Sequence, residues 1–363
     1  MKAIRSISFI VRNDPALLQN NIFTDNPLYG MKSDNYPFRA LKQELGKRGI
    51  EFNTHDITPP DKADLVICLD EAATFKKLNV KNRLSYLIIS EPPVYAPQNW
   101  DPANHSYFEK VFTYDKDLVS SPKYVHYVFA IDFESHRSFP PVSEELYGQR
   151  RLCCLIAGAM QVTAPEKGSR SLLYERYTTA RYFARHHAAE FDIYGRNLIN
   201  EKFEYFKGAG ILKKLKLTPL VKLVAAQKAK DIKNAFKGSV PPLEKLDYHH
   251  RYNFSICYDN SAIRGCISER IFDCFISKSV PIYCGAPDIG DYIPKQCFIN
   301  RHDFNSYSDL YKFIKSMPYS TYLNYLNAIE LFLKSPQIQQ FTVQHYVNTI
   351  ISNLHLGEAD SHL

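Results

Sequence analysis

Residues 252–304 read YNFSICYDNSAIRGCISERIFDCFISKSVPIYCGAPDIGDYIPKQCFINRHDF. The apolar run 254–258 has the length and the aromatic and β-branched content of a buried strand. A short polar loop follows at Asn260, Ser261 and Gly265. Helical spacing then begins at Ile267, and further apolar runs at 280–285 and 297–300 read as two more strands. Strand, loop, helix, strand, loop, strand predicts a mostly parallel α/β sheet. The 260–265 loop lies where a strand hands over to a helix, the place where open α/β sheets bind ligands, and the start of that helix presents unpaired N–H groups to an anion. Arg264 and Arg270 flank it, so a diphosphate there would meet a helix dipole and fixed positive charge. Two surface arginines on a packing helix would give the same pattern, and spacing alone does not choose.

Working outward, 152–158 reads as a strand, 171–186 as a helix and 191–195 as a strand, completing a second α/β half. The first 130 residues carry their own set of candidate strands at 4–11, 52–57, 65–69, 86–90, 110–114 and 125–130. A helix at 38–48 is marked by Phe38, Leu41 and Leu45. Residues 138–148, with Pro140 and Pro141, look like a linker. From 307 the pattern is helical, at 307–317, 321–334 and 340–354, and one of these helices is expected to cross back and brace the first half. The expected division is a first domain at 1–140, a second at 150–335, and a helix and tail at 336–363. No internal sequence repeat is visible.

The chain has 363 residues, 45% of them hydrophobic, and a net charge of +7. That composition describes a folded globular protein and is too mildly basic for an obligate nucleic-acid binder. No apolar run is long enough for a membrane helix, and residues 1–12 read as an amphipathic strand, so a cytoplasmic protein is expected. The eight cysteines sit in apolar runs without Cys-x-x-Cys spacing, as reduced buried thiols do. Charge concentrates at 207–237, where nine lysines oppose Asp231 alone, a local balance of +8. Interleaved Leu, Ile and Val make this a basic amphipathic stretch, suited either to an anionic membrane surface or to a solvated helical excursion.

Several chemistries lack their motifs. There is no Gly-x-Gly-x-x-Gly, Walker lysine, Gly-x-Ser-x-Gly or His-Glu-x-x-His, which removes support for dinucleotide-binding, nucleoside-triphosphatase, hydrolase and zinc-protease readings. Asp115-Lys116-Asp117 fits the short Asp-x-Asp pattern by which some sugar-nucleotide transferases hold a divalent ion. The pairs His186-His187 and His249-His250 read as surface histidines.

The 252–304 segment resembles the donor-binding motif of the α-1,3/4-fucosyltransferases, glycosyltransferase family 10. The resemblance rests on Tyr252-Asn253-Phe254, Asp259-Asn260-Ser261, Gly265-Cys266-Ile267-Ser268-Glu269-Arg270, Asp273-Cys274-Phe275 and Val280-Pro281-Ile282-Tyr283-Cys284-Gly285, in family order and spacing. It implies the GT-B fold: two Rossmann-like domains facing across a cleft, the first for the acceptor and the second for GDP-fucose. It implies donor contacts from Asn260, Ser261, Arg264 and Gly265, sugar-hydroxyl contacts from Glu269, and a diphosphate contact from Arg270, where the family has lysine. Cys266 and Cys284 stand where the family has aromatic residues. Tyr194-Gly195 is similar to a family strand end, and Lys167 and Arg170 fall near a segment that helps hold the nucleotide. A basic residue often found after the Gly238-Ser239-Val240 turn is replaced by Pro241-Pro242, leaving Lys245 or Arg251 to substitute. No metal or other cofactor is implied.

Fucosyl transfer with inversion needs a base for the acceptor hydroxyl. By resemblance this is Glu91, after the run 86–90, with burial beside Pro92 and Pro93 expected to raise its pKa. Trp100 and Tyr95 lie in a loop whose aromatic and amide content suits an oligosaccharide or a lipopolysaccharide-type glycolipid. The competing readings are the same fold with another nucleotide-activated deoxysugar, and a non-catalytic glycan- or membrane-binding relative.

Overall fold

A computed structural model describes residues 3–24, 32–78, 80, 83–133, 138–158, 160, 167–195, 219 and 230–356. Most of the basic stretch 207–237 therefore lies outside the described residues.

The chain forms two compact units. The first comprises Met1–Ser135, Arg264–Cys266 and Ile338–Leu363, and the second His136–Ile263 and Ile267–Gln337. In the first unit, β1 (Ser6–Ile10), β2 (Glu51–Thr54), β3 (Leu65–Leu69), β4 (Leu84–Ile88), β5 (Lys110–Thr113) and β6 (Tyr124–His126) form one sheet in the order β2-β1-β3-β4-β5-β6. Every pairing is parallel, with Leu69 opposite Ile88 where β3 meets β4. The central strands are apolar nearly throughout because both faces are covered, as parallel sheets require. Each fully buried Ile, Leu or Phe contributes about 1.5–3 kcal/mol. The helix Lys32–Lys47 starts earlier than the apolar spacing predicts and carries Pro37 in its second turn. The helix Val343–Ser352 also belongs to this unit. Tyr346 packs 5.5 Å from Tyr127, and beyond the helix His355 Nδ1 lies 3.0 Å from Tyr86 Oη.

In the second unit β7 (Arg151–Ile156), β8 (Phe191–Tyr194), β9 (Tyr252–Tyr258), β10 (Val280–Cys284) and β11 (Ile299–Asn300) form a parallel sheet in the order β11-β10-β9-β7-β8. Renumbered from its own first strand, this is 2-1-3-4-5, the order of the first sheet less its last strand. The order reverses direction between first and third strands, and the crevice beyond their carboxyl ends is the expected ligand site of such a sheet.

The stretch 138–148 is not a linker. It contains most of the helix Glu144–Gln149, capped by Ser143, and Tyr147 packs 4.7 Å from Tyr322 and donates to the Met317 carbonyl. Tyr147, beyond the two prolines, ties the stretch into the second unit.

All eight cysteines are buried and unbridged. Among the described residues no helix is long and apolar enough to cross a membrane.

Candidate active site

The carboxyl end of β9 is built around Asp259, which is 1% exposed. Its N–H donates to the Cys284 carbonyl, prolonging the β9–β10 ladder by one bond. One carboxylate oxygen accepts from Ser268 Oγ at 2.5 Å and the other from Tyr283 Oη at 2.7 Å. Burial holds its pKa above the usual aspartate value, opposed by the Ser268 hydrogen bond and by Arg270. Ser268 is also the N-cap of the helix Glu269–Ile276 and accepts from the Arg270 N–H. The aspartate thus fixes the cap, and the cap fixes where the helix begins. Gly285 makes this possible, since a Cβ there would stand 2.1 Å from both Asp259 Oδ2 and Tyr283 Oη.

Asn260 and Ser261 are held from the other side. The Asn260 carbonyl accepts from Leu172 N–H, Ser261 bridges Ser171, and Ala262 N–H donates to the Arg170 carbonyl. The expected donor residues Asn260, Ser261 and Arg170 are therefore brought together, with exposed Lys167 three residues before Arg170. Beneath them lies Arg176, only 1% exposed, donating to the Tyr258 carbonyl and, at 2.9 Å, to Asn260 Oδ1. Sequence reasoning missed Arg176. Its signal was available: it shares the apolar stripe of its helix with Leu173, Tyr177, Ala180 and Phe183, where a guanidinium needs a fixed partner.

Glu269 and Arg270 open the next helix. Lys245 Nζ lies 2.5 Å from Asp273 Oδ2 and 3.9 Å from Glu269 Oε1. Burial works to lower the Lys245 pKa, but the two carboxylates outweigh it and hold the ammonium above its usual value. Burial likewise works to raise Glu269, and Arg270, Lys245 and Arg176 reverse it, so the carboxylate stays ionised. Of the two substitutes offered for the missing basic residue, Lys245 reaches the motif, while exposed Arg251 stacks 4.2 Å over Tyr248.

Other expectations fall elsewhere. Arg264 and Gly265 group with the first unit. Arg264 pairs with Asp117 at 3.2 Å, and Gly265, at φ +81°, packs so closely that a Cβ would meet the Tyr114 carbonyl at 2.5 Å. The Asp-x-Asp carboxylates are already engaged: Asp115 accepts from Asp117 N–H to cap a turn, and Asp117 holds Arg264. Tyr194 is buried, its hydroxyl 2.8 Å from Tyr252 Oη, which donates to Asp192, and Gly195 N–H donates to the Gly238 carbonyl. His249 is not a surface residue. It is 4% exposed, its Nδ1 lies 2.9 Å from Ser255 Oγ, and burial drops its pKa to about 3.

In the first unit Glu91 follows β4 by three residues. It is exposed, contrary to the expectation of burial beside Pro92 and Pro93, because only Pro92 turns inward. The enclosed carboxylate at this end belongs instead to Asp70, just after β3. Asp70 accepts from Ser90 N–H at 2.9 Å, from Ser90 Oγ and from Glu91 N–H at 3.1 Å. Burial raises its pKa to about 6. Asn99 Nδ2 donates to the Asp70 carbonyl at 2.8 Å, and His105 Nε2 lies 2.7 Å from the Asn99 carbonyl. Trp100, expected to stack on a sugar, packs against Tyr114 and donates from Nε1 to the Glu91 carbonyl at 3.0 Å. Tyr95 is 45% exposed.

Residues 220–349 match the family described as glycosyltransferase family 10 (fucosyltransferase), C-terminal part. The chain is 28% identical over 120 residues to α-(1,3)-fucosyltransferase FucT of Helicobacter pylori, covering 30% of this chain and 24% of that protein. It is 35% identical over 78 residues to the mouse 4-galactosyl-N-acetylglucosaminide 3-α-L-fucosyltransferase 9, covering 20% and 22%. The matches thus span about a quarter of these curated relatives. Over nearly its whole length the fold is similar to a crystal structure of an α1,3-fucosyltransferase with GDP-fucose, at TM-score 0.52 and 14% identity, covering 99% of this chain and 92% of that one. It is equally similar to Anabaena Alr3699/HepE with UDP-glucose, at TM-score 0.52 and 12% identity, covering 96% and 100%. Two parallel sheets of one strand order give the chain the GT-B fold, and the 252–304 motif at the end of the second lies within the stretch that matches glycosyltransferase family 10 (fucosyltransferase), C-terminal part.

Proposed function

We propose that this protein is an inverting glycosyltransferase that moves L-fucose from GDP-fucose to a hydroxyl of an oligosaccharide or lipopolysaccharide-type glycolipid, at O3 of GlcNAc or Glc. The observation that carries the reading is the ionised Glu269 held among Arg270, Lys245 and Arg176 at the start of an eight-residue helix, directly after the Asn260-Ser261 loop. Positive side chains at a helix N-terminus stabilise a departing diphosphate, and a fixed carboxylate accepts from sugar hydroxyls. The donor is β-linked and the product α-linked, so one displacement inverts the carbon. The acceptor oxygen bonds to C1 as the C1–O(phosphate) bond breaks, the electron pair leaves with GDP, and the hydroxyl proton passes to a base. Glu91, exposed on a loop that Asp70 and Trp100 fix, is assigned that role.

The test is transfer from GDP-fucose to N-acetyllactosamine-type acceptors, with GDP release measured and the anomeric configuration read by NMR. An α-fucosyl product is expected. Release of no GDP with any acceptor or with water would favour a non-catalytic glycan-binding relative.

One observation favours a second donor. Cys284, fully buried and 3.6 Å from His302 Nε2, puts a thiol at the last position of β10, where the family has an aromatic ring. A thermal-shift panel of GDP-fucose against dTDP-deoxysugars separates the two. We also propose that catalysis needs no metal and that 207–237 gives peripheral contact with an anionic membrane from the cytoplasmic side, which liposome flotation of the full chain and of a 211–235 deletion tests.

A further inference from the structure

The loop carrying Glu91 is held by side chains that the reaction itself does not require: Trp100 donates to the Glu91 carbonyl, and the contacts to the Ser90–Glu91 N–H groups converge on Asp70. We propose that Asp70 is the positioning residue for Glu91, an anionic acceptor that locks the Ser90–Glu91 backbone so that the general base is presented in one geometry. This rests on the assignment of Glu91 above.

Three observations carry it. First, the contacts are specific: Ser90 N–H, Ser90 Oγ and Glu91 N–H all donate to the Asp70 carboxylate, and charge-assisted bonds of this kind are about twice as strong as neutral ones. Asn99 binds both the Asp70 carbonyl and its carboxylate, and is itself buttressed by His105, whose other ring nitrogen lies 3.0 Å from Tyr124 Oη. Second, Asp70 has φ +54°. A non-glycine residue there costs about 1–2 kcal/mol, and this conformation accompanies the carboxylate's reach to the Ser90 and Glu91 N–H groups. Third, the second sheet repeats the device. Asp259 also follows its sheet's third strand, its N–H also donates to a fourth-strand carbonyl, at 2.9 Å against 3.0 Å for Asp70, and it too gathers hydroxyls to set the start of a functional segment.

The titratable groups around Asp70 are Glu91, Tyr114, Tyr127, Tyr346 and Cys68. None of these is cationic. On protonation, near pH 6, it loses acceptor strength toward the loop.

The experiment compares wild type with Asp70→Asn, a residue that tolerates the left-handed backbone, in GDP-fucose-dependent transfer across pH 5–9. The expected result is a kcat lower by about tenfold or more with the KM for GDP-fucose within roughly twofold. In addition, the inflection near pH 6 in the wild-type kcat profile should be missing from the variant. Wild-type kcat and an unaltered profile in Asp70→Asn would overturn the proposal. If that variant does not fold, Ser90→Ala, which removes the hydroxyl bond to Asp70, decides: lower kcat at unchanged donor KM supports it, and full activity overturns it. Glu91→Gln in the same series separates the two ideas. An inactive Glu91→Gln beside a fully active Asp70→Asn removes only Asp70, whereas an active Glu91→Gln removes the assignment on which it rests.

Discussion

Tyr283 Oη donates to Asp259 Oδ2 at 2.7 Å and accepts from Ala286 N–H at 2.8 Å, so a single phenol ties the end of one strand to the turn after the next. The Cβ of an alanine at 285 would fall on both atoms of that bond. Gly285→Ala is expected to cost about 2–4 kcal/mol, the range for overpacking a rigid buried site, and calorimetry should show a lower melting temperature. Tyr283→Phe, which keeps the ring, should melt closer to wild type but bind GDP more weakly, because Asp259 then loses a donor while the helix cap depends on it.

Glu91→Gln should leave GDP-fucose affinity, measured by calorimetric titration, near wild type and cut turnover by about 10² or more, the usual worth of a general base. Retained turnover would exclude Glu91 as the proton acceptor.

At the proposed diphosphate site Arg270→Ala should weaken GDP itself by about tenfold, the loss of one charge-assisted contact. Lys245→Met should weaken GDP-fucose and also destabilise the fold, since Asp273 and Glu269 would face each other without their shared cation. Titration of GDP into each variant, paired with thermal melting, separates a loss of binding from a loss of folding.

Acid should destabilise the second unit through His249. Its folded pKa, depressed by burial and then by Lys245 to about 3, lies below the ordinary 6.5, so between those values the unfolded chain binds a proton that the folded one refuses. Stability is therefore lost as pH falls through 6.5, by up to about 1.4 kcal/mol per pH unit. Asp70 acts with the opposite sign, since its raised pKa makes protonation favour the folded state as pH falls from about 6 toward 3.8. His249→Asn should flatten the fall in melting temperature between pH 7 and pH 5, and a variant that melts in parallel with wild type would exclude the assignment.

EDTA should leave activity unchanged, because Asp115 is spent on a turn and Asp117 on Arg264. Inhibition reversed by added Mn²⁺ or Mg²⁺ would return the Asp-x-Asp pair to the catalytic site.

The strands were legible in the sequence because strands of a parallel sheet are unbroken apolar runs, and 65–69, 254–258 and 280–285 could be placed almost to the residue. The Asp259, Asn260, Ser261, Glu269 and Arg270 cluster was legible because its members lie within a dozen residues of one another. What was not legible depended on distance along the chain. Arg176 meets Asn260 across 84 residues, and Asp70 meets Ser90 across 20. Glu91 was named, but its environment was inferred from the two neighbouring prolines, and the carboxylate actually enclosed came from the preceding strand. Trp100 was read from its ring, whereas its role in the structure is set by its N–H. The repeated strand order was invisible because the two sheets share a path of the backbone without sharing letters.

The placement of Val343–Ser352 has a consequence for synthesis. The first sheet leaves the ribosome early, yet the helix that supplies Tyr346 to its face is translated only after the entire second unit has been made. That surface of the nascent first unit must stay uncovered meanwhile, available to chaperones or to misassociation, and shortening the chain before 343 would damage the domain made first rather than the one made last.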